Sequence, residues 1–459
     1  MSEANKLKFY NTLTRKKEVF KPIHKEYVGI YSCGPTVYWY QHIGNLRTYI
    51  FSDVLKRVLE FSGYKVKHII NITDVGHLTS DADTGEDKME KAAAKEGKSA
   101  KEIADYYFSV FDEDLKKLNI IQPTKWTKAT EHIKEQIGLI KELEKKGYTY
   151  KTSDGIYFDT SKDKSYGKLA KLDREKLKAG KRVDLGDKKN TTDFALWKFS
   201  SAEDKRQQEW DSPWGKGFPG WHIECSAMSM KYLGEQFDIH TGGLEHVQVH
   251  HTNEIAQSEN ATGKKPFVKY WIHAGWLLSN GEKISKSKGG LFTISELEER
   301  GFNPLSYRYF VLTAHYKKPL DFSLEKLQGA QNSYERLKNI TAELKDDKKE
   351  NKKYLEEFKK AVEDDLNMPE ALQVLWKMLR DEKAKGKLNT IKDMDKVLGL
   401  KLLEKEKIKV PESVAKLVKD RENARKNKDW KKSDELRDKI NKLGYSVADT
   451  NEGSKIGKL

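Results

Sequence analysis

A strand, a loop, a helix and a second strand follow one another near the start of the chain, and this order restricts the fold more than any other feature. An apolar run over 27–31 predicts a strand, and the loop 32–36 follows it. Apolar residues then recur on one helical face, at Leu46, Ile50, Val54 and Val58. Gly63 ends this predicted helix, and the apolar run 66–72 predicts the next strand. This order is typical of a βαβ unit, so we expect a parallel sheet that binds ligands at the carboxyl ends of its strands.

The remaining segments differ in character and suggest the domain organisation. We expect an α/β fold in which a Rossmann-like parallel-sheet domain is interrupted by an insertion and followed by an α-helical C-terminal region. Within it, the stretch from Lys91 to Leu118 is predicted to be helical, and Ser279-Asn280-Gly281-Glu282 predicts a hairpin turn. Everything after Leu324 is also predicted to be helical. The expected segments are 1–122 (first half of the sheet domain), 123–205 (connective insertion), 206–276 (second half), 277–325 (a loop region), 326–400 (helical bundle) and 401–459 (basic C-terminal domain).

The composition indicates the kind of partner and the compartment that suit this protein. The 459 residues include 86 Lys and Arg against 71 Asp and Glu, a formal net charge of +15 that favours a polyanionic partner. The two cysteines, Cys33 and Cys225, exclude a disulfide scaffold and favour a reducing compartment. No apolar run approaches the length of a membrane span. We therefore expect a cytoplasmic protein that does not insert into membranes.

Two short motifs have the chemistry of phosphate binding. His42-Ile43-Gly44-Asn45 lies where the first loop enters its helix, and a helix N-terminus attracts phosphate through its free N–H groups. Gly44 permits close approach, while His42 and Asn45 offer donors. The alternative is a surface histidine beside a helix cap. Far downstream, Lys283-Ile284-Ser285-Lys286-Ser287 places two lysines on a loop suited to clamping phosphates, the alternative being a solvated basic loop.

Together these segments resemble the HIGH and KMSKS motifs of class I aminoacyl-tRNA synthetases, in the same order. Further stretches resemble the cysteinyl-tRNA synthetase family along essentially the whole chain: Cys33-Gly34-Pro35-Thr36-Val37-Tyr38, Asn71-Ile72-Thr73-Asp74, Asp193-Phe194-Ala195-Leu196-Trp197-Lys198, Gly220-Trp221-His222-Ile223-Glu224-Cys225 and His250-His251-Thr252-Asn253-Glu254. The resemblance implies a ligase that activates L-cysteine with ATP, accompanied by Mg²⁺, and transfers it to the 3′ end of tRNA(Cys). It also implies a monomer.

The resemblance further implies roles for individual residues. The 277–325 region becomes the KMSKS loop and the contact to the tRNA stem. The residues expected to take part in catalysis are His42, Asn45, Lys283 and Lys286. Those expected to bind ATP are His42, Gly44, Asn45, Gly242, Gly243 and Lys286. Those expected to bind cysteine are Gly34, Thr36, Thr73, Trp221 and His240.

A metal site can be argued from the residues themselves. His250 and Glu254 are four residues apart, so on a helix they project from one face. With the two cysteines they form a donor set that suits Zn²⁺. The resemblance implies one zinc ion per chain, bound by Cys33, Cys225, His250 and Glu254, with His222, His240 and His251 as neighbours. A zinc ion binds a thiolate where a serine hydroxyl is a poor ligand, and so separates cysteine from serine. The alternative is two inert buried cysteines and a surface His/Glu pair.

The C-terminal segment has the residues expected of an RNA-binding region. Asp429 is a predicted N-cap for a helix that begins at Trp430 and stops at Gly444. Basic residues cluster around this aromatic side chain, and unpaired bases stack on exposed aromatic rings. We expect Arg425, Trp430 and Arg437 to bind tRNA. The alternative is that Trp430 anchors one helix on another.

Some positions depart from the family pattern. Asn45 stands where the class usually has His, and we expect activity to survive. Thr241 and Glu245 stand where the family tends to have Gly and Asp. The acidic stretch between Gly76 and Asp87 is interpreted as a solvated loop rather than a second metal site.

Two rival functions remain open at this point. One is a cysteine ligase that charges an amino sugar, as in mycothiol assembly, and the basic helical region argues against it. The other is a non-catalytic RNA-binding relative, against which the retained lysines and metal-ligand residue types argue.

Overall fold

The computed structural model describes residues 7–77, 87–172, 187–200, 206–279, 281–283, 292–404, 411–450 and 453–458. The chain forms two compact units, Met1–Leu402 and Leu403–Leu459. The expected boundary between 400 and 401 lies two residues before this division. None of the helices in the described ranges combines the length and the apolarity that crossing a membrane requires.

The strands of the first unit are β1 Lys8–Asn11, β2 Lys16–Val19, β3 Val28–Ser32, β4 Val66–Ile72, β5 Lys125–Lys128, β6 Thr149–Lys151, β7 Gly155–Phe158, β8 Phe194–Phe199, β9 Gly217–Pro219, β10 Phe237–Gly243, β11 Val268–Ala274, β12 Leu277–Ser279, β13 Glu282–Lys283 and β14 Leu320–Phe322. Its α-helices are α1 Ile43–Phe61, α2 Lys88–Glu96, α3 Ala100–Lys117, α4 Ile133–Lys145, α5 Trp221–Leu233, α6 His250–Thr262, α7 Ile294–Glu299, α8 Pro304–Leu312, α9 Leu324–Ala342, α10 Lys352–Glu363, α11 Met368–Arg380 and α12 Lys387–Leu398.

A five-stranded parallel sheet forms the centre of this unit, with strand order β11-β10-β3-β4-β5. The predicted βαβ unit is confirmed as β3-α1-β4. The α1 residues that carried the helical period are buried, since Leu46, Ile50 and Val58 are 0% exposed and Val54 is 3% exposed. Their burial between the sheet and its surroundings explains why periodicity alone located this helix.

The insertion forms a second sheet, which is antiparallel and has the order β6-β7-β8-β9. Its core joins Phe158 and Trp197 to Ile140 of α4 and to Ile223 of α5. The expected limits at 122/123 and 205/206 do not coincide with the limits of the two sheets. β5 pairs in parallel with β4, and β9 pairs with β8. The short β5 segment has no apolar run, so only its pairing partner identifies it as a strand.

Two further predictions concern local turns. The Ser279–Glu282 hairpin is confirmed, because β12 pairs antiparallel with β13 and Ser279 lies opposite Glu282. The long helix expected from Lys91 to Leu118 is instead two helices, α2 and α3. Gly97, with φ of +64°, ends the first, and Ser99 caps the second in a capping box with Glu102.

The second unit contains α13 Glu412–Lys426, α14 Trp430–Lys442, β15 Tyr445–Thr450 and β16 Gly453–Lys458. Asp429 caps α14 as predicted, accepting the Lys432 N–H at 3.1 Å. The expectation of an entirely helical end is wrong, because β15 and β16 pair antiparallel. This hairpin provides Val447 and Ile456, which pack against the small helical core of Val414, Val418 and Ile440.

Candidate metal and substrate site

The candidate site lies where the parallel sheet meets the first turns of two helices. Cys33 directly follows β3, and His240 is part of the neighbouring strand β10. Cys225 lies on α5, and His250 begins α6, with Glu254 one turn later on the same face. Parallel strands and the helices between them converge at the carboxyl edge of the sheet, so residues that are distant in sequence meet there.

The structure brings together the four residue types that the sequence suggested as metal ligands. One potential ligand atom from each of Cys33, Cys225, His250 and Glu254 lies within 4.8 Å of the others. The same distance also groups Cys33 and Glu254 with His240 and His251. Cys225 is buried and Cys33 is partly buried. The two sets share Cys33 and Glu254, so they describe one site that is completed either by Cys225 and His250 or by His240 and His251.

Glu254 is the best-defined member of this cluster. Its Oε2 accepts a hydrogen bond from His240 Nε2 at 3.0 Å. Its Oε1 is buried without a hydrogen-bond partner among the described residues, although His250 Nε2 lies only 3.1 Å away. A buried carboxylate oxygen costs free energy unless it is paired. A cation placed between the imidazole and the carboxylate oxygen would satisfy both atoms.

The charge states agree with a cation-binding role. Burial would raise the pKa of Glu254, but His240 and His250 outweigh it and hold that pKa at about 2. The hydrogen bond with Cys33, reinforced by burial, raises the pKa of the Cys225 thiol well above its usual value. Burial also raises the pKa of Cys33. A metal ion reverses this preference by binding thiolates, so two sulfur atoms, an imidazole and a carboxylate form a set that fits Zn²⁺.

Two histidines connect Cys33 to the protein interior through close polar contacts. His251 Nε2 lies 3.2 Å from Cys33 Sγ, and His251 Nδ1 lies 2.7 Å from His273 Nε2. His273 Nδ1 in turn lies 2.8 Å from the Thr12 hydroxyl. Burial lowers the pKa of His251 and His273 well below the usual value, so both rings are neutral. His273 was not among the site residues predicted from the sequence. Its place in the predicted strand β11, which lies beside β10 and its His240, could have indicated that His273 is close to the cluster.

A small cavity adjoins the cluster. It is lined by Thr36, Thr73 and Trp221, three of the residues expected to bind cysteine, and by His77. The Trp221 ring contacts the His250 ring, with centroids 4.8 Å apart, and so connects the cavity to the metal cluster. His240, expected in the same wall, is instead fully buried against Glu254.

The pair formed by His77 and Glu224 was not foreseen. His77 Nε2 lies 2.7 Å from Glu224 Oε1, and Glu224 is completely buried. Asp87, at the other end of the acidic stretch, caps α2 and forms an ion pair with Arg206 at 2.6 Å. The ends of this stretch are therefore built into the fold rather than solvated, and 78–86 lie outside the described residues. No signal in the sequence connects His77 with Glu224.

Gly34, also expected to bind substrate, has a clear structural requirement. Its N–H donates to the Asn71 side-chain oxygen at 2.8 Å. A Cβ at this position would lie 1.5 Å from the Asn71 carbonyl oxygen, so no other residue fits. The loop that carries Cys33 and Thr36 therefore passes directly against the end of β4.

The first phosphate motif forms the start of α1. His42 is the N-cap, and its Nδ1 accepts the Asn45 N–H at 3.3 Å, while Asn45 Oδ1 accepts the His42 N–H at 3.4 Å. Asn45 therefore completes a capping box. Gly44 lies directly beside the His42 ring, where a Cβ would come within 2.9 Å. The motif therefore lies at the N-terminus of α1, the position from which its phosphate-binding role was predicted.

The other predicted nucleotide residues are only partly described. Gly242 and Gly243 end β10, and a Cβ on Gly242 would lie 2.6 Å from His246 Nδ1. Lys283 ends β13, opposite Leu278. Lys286 lies outside the described residues.

In the second unit, Trp430 is 55% exposed and has Arg425 over its ring at 5.3 Å. Arg437 lies 3.5 Å from Asp434. The exposure of Trp430 argues against the alternative in which it anchors one helix on another.

Comparison with known proteins agrees with these features. Residues 19–332 match the model of the class I (C) tRNA synthetase catalytic domain, and residues 409–455 match the cysteinyl-tRNA ligase anticodon-binding domain. Cysteine–tRNA ligase 1 of Burkholderia lata is 50% identical over 454 residues, covering 98% of this chain and 96% of that protein. The cysteine–tRNA ligase of Treponema denticola is 46% identical, covering 96% of this chain and 98% of its own.

Solved structures show the same fold in more distant proteins. Mycobacterium tuberculosis methionyl-tRNA synthetase in complex with methionyl-adenylate superimposes with a TM-score of 0.57 at 15% identity, covering 82% of this chain and 88% of that one. At this level of identity the similarity concerns the fold alone.

Proposed function

This chain belongs to the cysteinyl-tRNA synthetase family of class I aminoacyl-tRNA synthetases, and from this membership we propose that it attaches L-cysteine to the 3′ end of tRNA(Cys). The observation that carries the proposal is the meeting of both cysteines with His250 and Glu254 beside the substrate cavity. A site of this composition suits a substrate whose distinguishing atom is sulfur.

Cys33, Cys225, His250 and Glu254 would hold one zinc ion, which when bound supplies a cation that accepts the substrate's thiolate. The chain's own residues orient the rest of the substrate. Thr36, Thr73 and Trp221 form the wall of the cavity. Their hydroxyl groups and the indole ring limit the space and offer hydrogen bonds to a small amino acid.

The reaction has two steps. The cysteine carboxylate attacks the α-phosphorus of ATP, which gives cysteinyl-adenylate and releases pyrophosphate. A terminal ribose hydroxyl of the tRNA then attacks the activated carbonyl carbon, and AMP leaves. Catalysis of this kind depends on positioning and on stabilising the phosphate charge.

His42, Gly44 and Asn45 at the N-terminus of α1 would bind the phosphates from one side, and Lys283 and Lys286 from the other. Gly242 and Gly243 would face the adenosine. ATP would enter as its magnesium complex.

The basic second unit would bind tRNA through Arg425, Trp430 and Arg437. Its exposed indole ring supports a role in base stacking. We further propose that the protein works as a monomer, because membership of the family favours this state. We also propose that it works in the cytoplasm, because its two unpaired cysteines favour a reducing compartment.

A pyrophosphate-exchange assay with cysteine or serine, in the presence and absence of tRNA, tests the proposal. We expect exchange with cysteine that needs no tRNA, and discrimination against serine beyond the about 100-fold that pocket shape provides. Charging of tRNA(Cys) should follow. Exchange without charged tRNA would mean a different acceptor, and equal use of serine would contradict the proposal.

Metal analysis adds a second readout. Cys225→Ser should lower bound zinc from one ion per chain and slow exchange. Ser229→Ala is the matched control, because this buried residue lies on the same helix and, among the described residues, its hydroxyl bonds only to the Ser226 carbonyl. Zinc occupancy that is the same in Cys225→Ser and in the parent would rule out the proposed ligand set.

A further inference from the structure

Three exposed aromatic rings lie together beside the first phosphate motif. Trp39, Tyr40 and Tyr106 are 40%, 36% and 42% exposed, although large aromatic side chains are usually buried. Trp39 and Tyr40 belong to the loop between β3 and α1, and Tyr106 belongs to α3. We call these three residues the aromatic patch. Neither the catalytic chemistry nor the packing of the core accounts for their exposure.

The patch is ordered by a buried ring beneath it. Tyr107 is 4% exposed and contacts all three members, with centroid distances of 5.8 Å to Trp39, 5.0 Å to Tyr40 and 5.1 Å to Tyr106. The hydroxyl groups of Tyr40 and Tyr106 lie 3.1 Å apart. These contacts hold the rings in place while leaving part of each surface open. A preorganised platform of this kind loses little conformational entropy when a ligand binds.

Lysines alternate with the rings. The Lys95 ammonium group lies 5.4 Å from the Trp39 ring centroid, and the Lys98 ammonium group lies 5.0 Å from that of Tyr106. Lys98 pairs with Glu96, whereas Lys95 has no carboxylate within salt-bridge distance in the described part of the chain. An exposed lysine holds its ring weakly, so it can move aside and contact an incoming phosphate instead.

The nearby acidic groups have partners within the protein. Glu96 also accepts the Tyr107 hydroxyl at 2.6 Å, Glu102 caps α3 through Ser99, and Asp105 pairs with Lys128 at 2.6 Å. Their charge is thus partly neutralised, and the repulsion they would exert on a polyanion is reduced.

The patch is continuous with the substrate cavity. Tyr38, the residue before Trp39, lines that cavity, and so does Lys88, whose ammonium group lies 5.7 Å from the Tyr38 ring centroid. Rings and lysines therefore continue from the open surface into the cavity where the activated amino acid would lie.

We propose that the aromatic patch binds the unpaired 3′ end of the tRNA, a conclusion that rests on the function proposed above. Unpaired bases stack on Trp39 and Tyr106, and Lys95 and Lys88 contact the phosphates between them. Single-stranded nucleic acids are typically bound by this combination of exposed rings and cations. The path delivers the terminal ribose to the cavity. A protein partner fits less well, since the three rings are interrupted by charge.

The test combines variants of the patch with a shortened RNA. The double variant Trp39→Ala/Tyr106→Ala is compared with Trp39→Phe/Tyr106→Phe, which keeps the ring faces. Each is titrated with tRNA(Cys) and with the same tRNA lacking its unpaired 3′ nucleotides. We expect the alanine variant to bind intact tRNA at least about tenfold more weakly, because one stacked base is worth that much. Binding of the shortened tRNA should change less than twofold, and the phenylalanine variant should stay within threefold of the parent.

A second variant, at an exposed position, tests the proposal even if the double alanine variant does not fold. Lys95→Ala, at an exposed position, should weaken intact tRNA binding by about threefold and reduce its salt dependence. Equal losses with both RNAs, or no loss with either, would overturn the proposal, and the latter result would leave a protein partner as the remaining explanation for the rings. Cysteine-dependent pyrophosphate exchange distinguishes failure of the proposed function from failure of the patch proposal. Its absence from the parent protein would refute the proposed function, whereas normal exchange with unaltered tRNA binding would refute the patch alone.

Discussion

His240 Nε2 lies 3.0 Å from Glu254 Oε2, and both side chains are completely buried. Because Glu254 keeps its negative charge at neutral pH, the imidazole must donate this hydrogen bond. The bond fixes the carboxylate so that its other oxygen points towards His250. His240 therefore positions a proposed metal ligand, a role that the substrate-binding prediction did not include.

We expect His240→Ala to weaken zinc binding by about 10- to 100-fold, because groups that orient a metal ligand usually contribute this much to affinity. Competition with a chromophoric chelator, using protein reloaded with zinc, measures the effect. His132→Ala is the control, since His132 is also buried and bonded at both ring nitrogens but lies outside the cluster. An affinity within twofold of the parent would show that Glu254 does not need this support.

Local patterns predicted the parts of the structure that local forces determine. The period of α1 and the Asp429 cap are properties of neighbouring residues, and both are present. The break at Gly97 had a readable signal, because Ser99 and Glu102 have the spacing of a capping box. The prediction of one helix from Lys91 to Leu118 did not take this signal into account.

Contacts between residues far apart in the sequence could not be predicted from local patterns. His77 and Glu224 are 147 residues apart with the whole insertion between them, and nothing in either local sequence indicates the other. β5 is recognisable as a strand only through β4. The metal cluster was predicted from the chain's two cysteines, together with the resemblance to the cysteinyl-tRNA synthetase family.

A buried ionic junction offers a prediction about stability. Asp53 Oδ2 accepts hydrogen bonds from Arg57 at 2.7 Å and from Arg308 at 2.6 Å, and all three side chains are buried. Asp53→Asn would leave two buried cations without their counterion. We expect the free energy of unfolding in urea to fall by about 3–5 kcal/mol. Glu235→Gln, which breaks the exposed pair with Lys264, should cost at most about 1 kcal/mol. Similar costs for both variants would contradict the assignment of Asp53 as a structural anchor.

Asp114 on α3 predicts a pH dependence of stability. Burial raises its pKa to about 7, against an ordinary value near 4 for an unfolded chain. Since the folded pKa is raised, the protonated carboxyl stabilises the protein at low pH, and this contribution is lost as the pH rises through about 7. Asp114→Asn should therefore be more stable than the parent at pH 8, by a few kcal/mol at most, and the two should converge near pH 4. Thermal unfolding across this range measures the difference, with the exposed Asp211→Asn as control. Parallel curves for parent and variant would exclude a raised pKa.

Trp430 in the second unit predicts a separation between the two steps of the reaction. Its ring is more than half exposed, and Arg425 lies over it, so an unpaired base can stack there with a cation close to its phosphate. We expect Trp430→Ala to raise the KM for tRNA(Cys) by about 5- to 10-fold while leaving cysteine-dependent pyrophosphate exchange unchanged. Trp430→Phe should restore most of the loss, because a stacked base needs an aromatic face rather than the indole N–H. If exchange fell together with charging, Trp430 would be acting through the stability of the protein. An unchanged KM would remove it from the RNA-binding surface.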